Sequence, residues 1–145
     1  MASVGLWREL SPPLMKQLEY PISGIVYTGH SLGAATALLC ATHYKASFKK
    51  APSPSIVTFG GPKLCNSALA RHLRNEALEG CNILHLVHGK DPVLKNNEKQ
   101  WASLGFEDVG IELHCKPHSP TVLSAKEAKS SKNFAWNILD HFFEF

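Results

Sequence analysis

A serine, an aspartate and a histidine in that chain order, Ser31, Asp91 and His141, have the residue types for nucleophilic acyl transfer. A serine hydroxyl attacks a carbonyl only when a base removes its proton, and an imidazole base needs a carboxylate to fix its tautomer. Ser31 is the middle of Gly29-His30-Ser31-Leu32-Gly33. Five residues with three fixed recur by chance, so context decides. The pentapeptide follows an apolar run, residues 22–28, and opens an Ala- and Leu-rich stretch that reads as a helix from Ser31 to about Tyr44. That is the strand-turn-helix setting of a nucleophile elbow, with the serine on a sharp, strained turn. Glycines two before and two after it are expected to remove Cβ atoms that would clash there. The backbone N–H of Leu32, at the helix N-terminus, is the expected oxyanion donor. The plain alternative is a glycine-rich turn without chemistry.

The acid must lie downstream of the serine at a strand end. Asp91 does so, after residues 82–88, with Pro92 behind it. Its structural alternative is a turn aspartate bonded to its own backbone, which Gly89 and Pro92 favour. Asp108 precedes or starts a strand and points from the wrong end. Of eight histidines, His30 is locked in the elbow, His43 and His72 fall on helices, and His85 and His88 belong to the strand before the acid. His114, His118 and His141 remain. His141 follows Leu139-Asp140 and heads the aromatic tail Phe142-Phe143-Glu144-Phe145, which makes it the preferred base, ahead of His118. A helix-terminal histidine is its plain reading. His114, Cys115 and His118 match no common zinc spacing.

The elements that must position these groups alternate. Residues 6–19 read as a helix interrupted near Ser11-Pro12-Pro13 and broken by Tyr20-Pro21. Residues 22–28 suit a buried strand, 55–59 a second, and 82–88 a third. Helices are expected between them, the second over 67–78 and ending near Gly80. Residues 106–115 alternate as a fourth strand interrupted by Gly110. Residues 117–120 read as a loop, and the chain from Ser124 as largely helical. Strand, helix, strand, helix, strand points to the α/β class, a mainly parallel sheet with flanking helices. Ligands of such sheets sit outside the carboxyl ends of the strands. Gly29-His30-Ser31, Gly60-Gly61-Pro62 and Gly89-Lys90-Asp91 all fall there.

Composition sets the outer bounds. The 145 residues fit one domain, 1–145, and the 44% hydrophobic and 19% charged content is that of a globular chain. A net charge of +3 with scattered lysines argues against nucleic acid. Lys126, Lys129 and Lys132 read as a solvated helix face in preference to a contact with anionic lipid. Cys40, Cys65, Cys81 and Cys115 form no CxxC pair, and no run approaches the ~18 apolar residues of a membrane span. No signal peptide is visible, so the expected location is cytoplasmic.

These residues resemble the class 3 lipases, the fungal triacylglycerol lipases and their relatives. The likeness rests on several motifs in order. Ile25-Val26-Tyr27-Thr28-Gly29-His30-Ser31-Leu32-Gly33-Ala34 is similar to the family's serine motif. Val57-Thr58-Phe59-Gly60-Gly61-Pro62-Lys63 with Asn66 is similar to its strand-turn motif, and Val87-His88-Gly89-Lys90-Asp91-Pro92-Val93 to the motif bearing the acid. Residues 106–113 resemble a later strand, and Asp140-His141 the terminal histidine. Gly61, Cys65 and Leu94-Lys95 depart from the pattern. The resemblance implies a partial α/β-hydrolase fold acting on lipid esters through an acyl-serine, with no metal or organic cofactor. Family members carry further strands, a lid helix and a second oxyanion donor upstream of the serine motif. About thirty residues precede Ser31 here, so the chain is expected to be a C-terminal portion with an exposed sheet edge. Transient contact with a lipid surface, and a partner covering that edge, are further expectations. The rival reading is a catalytically silent lipase-like module for binding or signalling. A thioesterase or peptidase on the same scaffold is a weaker one.

Overall fold

A computed structural model describes residues 2–20, 22–89, 91, 93, 98–115 and 122–124. His141, His118, Lys90, Pro92 and the lysines 126, 129 and 132 lie outside them. The chain opens with helix α1 (Ala2–Gln17), then strand β1 (Val26–His30), helix α2 (Leu32–Ser47) and strand β2 (Ser55–Phe59). A short strand β3 (Cys65–Asn66) leads into helix α3 (Ser67–His72), which continues as a π-helical turn, Leu73–Ala77. Strand β4 (Asn82–His88), helix α4 (Glu98–Ser103), and strands β5 (Phe106–Glu107), β6 (Ile111–Cys115) and β7 (Val122–Ser124) complete the described part.

The main sheet has the order β1-β2-β4-β6-β7. Its first three pairings are parallel and the last antiparallel. This is the α/β class expected, a mainly parallel sheet with flanking helices. Strands β3 and β5 form a separate antiparallel pair. The core lies where α2 and the α3 segment meet one face of the sheet. Leu38, Ala41, Ile56, Cys65, Ala70, Leu73, Leu78 and Val109 are all buried there. Small side chains explain how α2 lies so close: Ala34, Ala35, Ala37 and Ala41 are all buried. Tyr44, fully buried, donates its hydroxyl to the Pro52 carbonyl at 3.1 Å, which satisfies an otherwise costly polar atom.

Several expectations need correction. α1 runs through Pro12 and Pro13 without interruption. Both rings are exposed, and Trp7 ties the helix to its neighbours, stacking on His43 at 5.8 Å and tilting against Phe48. The first strand begins at Val26, later than residue 22, and is an edge strand, not a buried one. Val26 is 62% exposed, and among the described residues β1 pairs with β2 alone. An apolar run reads alike whether or not a neighbour covers it. An edge of this kind invites pairing with another chain.

The expected strand over 106–115 is two strands in two sheets. At Gly110, between them, a Cβ would come within 2.7 Å of the Ile83 carbonyl oxygen, so the chain changes sheets at a residue without a side chain. Strands β3 and β7 and helix α4 were not foreseen; short segments carry too few residues for periodicity to show. Residue 124, read as the start of a helix, ends β7.

Candidate active site

Ser31 lies between the end of β1 and the start of α2 with φ 54° and ψ −124°. Among the described residues it is the one non-glycine residue at positive φ. Such a conformation costs of order 1–3 kcal/mol and persists only where the surroundings impose it. Here two backbone bonds impose it. Ser31 N–H donates to the Phe59 carbonyl on β2 at 3.0 Å, and Ala34 N–H donates to the Ser31 carbonyl at 3.0 Å. The Ser31 side chain does not cap the helix it precedes. Leu32 opens α2, so its N–H is one of the first-turn amides that lack an intrahelical acceptor. Its side chain is 74% exposed at the same edge.

One of the two motif glycines, Gly29, avoids a clash. A Cβ on Gly29 would lie 2.2 Å from the Gly33 carbonyl oxygen and 2.9 Å from the Ala34 nitrogen. A Cβ on Gly33 would meet nothing within 4 Å among the described residues, so its expected clash is corrected. The need at Gly29 is for close passage of the helix backbone over the strand. Gly61, a departure from the family pattern, shows the same logic: its Cβ would lie 2.6 Å from that of Ala34.

Asp91 follows β4 and is 1% exposed. Its N–H donates to the His88 carbonyl at 3.1 Å, and its Oδ1 accepts from Val93 N–H at 2.9 Å. The turn geometry weighed for it is therefore present. It does not compete with catalysis, because an ionised carboxylate accepts at both oxygens and one amide bond fixes its plane. β1, β2 and β4 are in parallel register, with His30, Phe59 and Leu86 aligned. Ser31 and Asp91 thus leave the same carboxyl edge two strands apart, roughly 10 Å at the backbone, a gap that their side chains and an imidazole can fill. His43 stacks on Trp7, His72 pairs with Glu76, and His85 and His114 bond within the sheet face. The two preferred base candidates, His141 and His118, are outside the described residues.

Beneath the elbow lies a group of polar residues that sequence reasoning missed. Register aligns Thr58, His85 and Glu112 across β2, β4 and β6 on the face that α2 covers. Thr58 Oγ1 lies 2.5 Å from His85 Nδ1, and Glu112 bonds His114 Nε2. Lys63, just after the β2 turn, pairs with Asp108 at 3.0 Å. Thr58, His85, Asp108 and Glu112 share the walls of a cavity of about 20 Å³ with Ala34 and Gly61. Burial, reinforced by the neighbouring Glu112, pushes the Asp108 carboxyl up to about 6. Burial acts the same way on Glu112, but hydrogen bonds from His114 and Asp108 outweigh it and hold that carboxyl well below its usual range. Burial lowers His85, opposed by Glu112. The available signal was polar residues at alternate, inward positions of strands otherwise apolar.

A stability test follows from Asp108. Its folded value lies above the ordinary 3.8, so the folded chain holds a proton there that the unfolded chain releases, and the contribution of this group to stability falls as pH rises from about 4 to about 6. Asp108→Asn removes that titration. Denaturation at both ends of the window should show the variant gaining on wild type by on the order of 2 kcal/mol between pH ~4 and pH ~7. An unchanged difference would refute the assignment.

The sequence matches the family described as Lipase (class 3) over residues 2–99. The chain belongs to the class 3 lipase family. Among its relatives are phospholipase A(1) DAD1, chloroplastic, of Arabidopsis thaliana, 36% identical over 60% of this chain, and secreted mono- and diacylglycerol lipase A of Penicillium cyclopium, 32% identical over 85%. A solved triacylglycerol lipase, whose catalytic centre is described as a serine protease triad, superposes with a TM-score of 0.77 at 26% identity over 96% of this chain. This class 3 lipase chain spans 19% and 39% of those two relatives and 54% of that solved chain.

Proposed function

We propose that this chain carries the reacting part of a serine carboxylic-ester hydrolase for lipid esters of the acylglycerol class. The observation that supports the reading most is the strained backbone of Ser31, in an elbow whose strand and helix approach too closely for a Cβ at Gly29. His141 takes the hydroxyl proton as Ser31 Oγ attacks the ester carbonyl, and Asp91 holds the imidazole in the tautomer that can do so. Leu32 N–H donates to the oxyanion at the positive end of α2. The alcohol leaves with the proton from His141. Water, deprotonated by the same imidazole, then releases the fatty acid and restores Ser31. The chemistry belongs to lipid degradation and needs no cofactor.

The relatives support the substrate class, since their names specify acylglycerols and phospholipid esters. A silent binding module is the weaker reading, because strain at a serine that does no chemistry would be stability given up for nothing. Two finer proposals accompany the main one. The flank of β1 that pairs with no strand among the described residues is suited to a covering polypeptide, and exposed Leu32 to transient contact with a lipid surface. The four free cysteines fit a reducing, cytoplasmic setting, although relatives named above are secreted or chloroplastic.

Incubation of the chain with a fluorophosphonate probe, together with assays on short- and long-chain acylglycerol esters, tests the main reading. One adduct, on Ser31, and turnover of at least one ester are expected. Folded protein with no adduct would sink it.

A further inference from the structure

The turn that follows β2 touches both the nucleophile and a half-buried ion pair. Phe59, its last strand residue, accepts the Ser31 N–H. Gly60 turns at φ 54° and donates to the Leu86 carbonyl at 2.9 Å. Gly61 packs on Ala34 in the first turn of α2, so closely that a Cβ would come within 2.6 Å of that side chain. Pro62 then limits the backbone, and Lys63 Nζ reaches Asp108 at 3.0 Å, with side chains 16% and 24% exposed. Asp108 is itself held from the far side. It lies between β5 and β6, and Arg74 donates both to its carbonyl and, at 2.9 Å, to Glu107. The turn thus lies between the elbow helix and the β5 edge to which Arg74 is bonded.

We propose that Lys63 and Asp108 are positioning residues for the Ser31 elbow: their ion pair presses the turn at residues 60–64 onto the first turn of α2 and so fixes the direction of Ser31 Oγ and Leu32 N–H. The proposal rests on the hydrolase reading of Ser31. Releasing the pair frees the turn, and the first turn of α2, whose Ala34 bonds the Ser31 carbonyl, loses the Gly61 contact that backs it. Misplacement of a reacting group by about 1 Å is enough to slow attack ~100-fold. The role has a pH signature. The groups facing Asp108 are Lys63 on the turn, Glu112 on β6 with His114 and His85 behind it, Cys65 on β3, and Arg74. Protonation of Asp108 removes the anion that Lys63 grips, and its raised range, about 6, places that event just below neutrality.

The test is the rate of covalent capture of Ser31 by a fluorophosphonate, from about pH 5 to pH 8. It compares wild type, Lys63→Met, Lys63→Arg and Asp108→Asn, with folding verified at each pH. At pH ~7.5, Lys63→Met and Asp108→Asn should react about 10- to 100-fold more slowly, with the loss in the limiting rate and not in probe affinity. Lys63→Arg, which keeps the charge, should recover to within about 3-fold. The ratio of wild type to Asp108→Asn should fall toward one as pH drops below about 6. Asp108→Asn, close in shape to the parent, carries the comparison should Lys63→Met fail to fold. Equal rates in the folded variants, or a ratio that ignores pH, would overturn the positioning role while leaving the hydrolase reading intact. No capture by folded wild type would defeat that reading and this inference with it.

Discussion

Ser31→Ala is expected to end covalent capture and to lower ester turnover to background, a loss on the order of 10⁶-fold where the rest of the machinery is complete. Asp91→Asn should fall short of that, on the order of 10⁴-fold, because the hydroxyl and imidazole remain and only the tautomer is lost. The ordering matters as much as the sizes. Were Asp91 only to close a turn, its replacement would leave catalysis untouched and cost little stability, since an amide oxygen still accepts from Val93 N–H. Ser31→Gly adds a control for strain. Glycine accepts φ 54° freely, so that variant should be inactive yet more stable by about 1 kcal/mol, seen as a rise in Tm. A Tm below wild type would mean that the backbone at this position is not strained by its side chain.

Gly29→Ala should be the most damaging small substitution in the elbow. The added methyl group would sit 2.2 Å from a carbonyl oxygen and 2.9 Å from a backbone nitrogen, and neither atom belongs to a side chain that can rotate aside. Either α2 moves off β1 or the turn refolds. A loss on the order of 2–4 kcal/mol of stability is expected, together with the loss of Ser31 capture. Gly33→Ala is the matched contrast. The residue lies inside α2, and its new methyl group would meet nothing within 4 Å among the described residues. Replacing a helical glycine there should stabilise by roughly 0.5–1 kcal/mol. Denaturant unfolding of the two variants side by side would separate them, and equal losses would contradict the close-passage argument.

The contrast between these glycines shows what the sequence could convey. The motif GxSxG identifies the turn, and the helix after it was legible because it is long and rich in Ala and Leu, whereas the short strand before it starts later and lies more exposed than its apolar run implied. β2 and β4 have the bounds expected from their apolar runs, Ser55–Phe59 and Asn82–His88. What the pattern cannot separate is which glycine serves the turn and which serves a neighbour. That depends on a helix lying across the strand, a tertiary fact. The same holds for the polar residues beneath the elbow. Thr58, His85 and Glu112 stand far apart in the chain and become adjacent only through the register of three parallel strands. Lys63 and Asp108 meet because β3 and β5 pair, and those strands are two residues each. Pro12 and Pro13 misled the reading of α1, because a rule about isolated helices ignores the packing of Trp7 that holds this one in place.

The flank of β1 that faces away from β2 has a consequence for rate. Parallel strands have no hairpin to set their alignment, and a slide by one residue sends every side chain to the opposite side of the sheet. Here the strand at issue delivers the hydroxyl, with His30 aligned to Phe59 by one neighbour alone among the described residues. A polypeptide lying along that flank would therefore act as a gauge, setting the height of Ser31 relative to Asp91. The pace of acyl transfer would then report on whatever lies there.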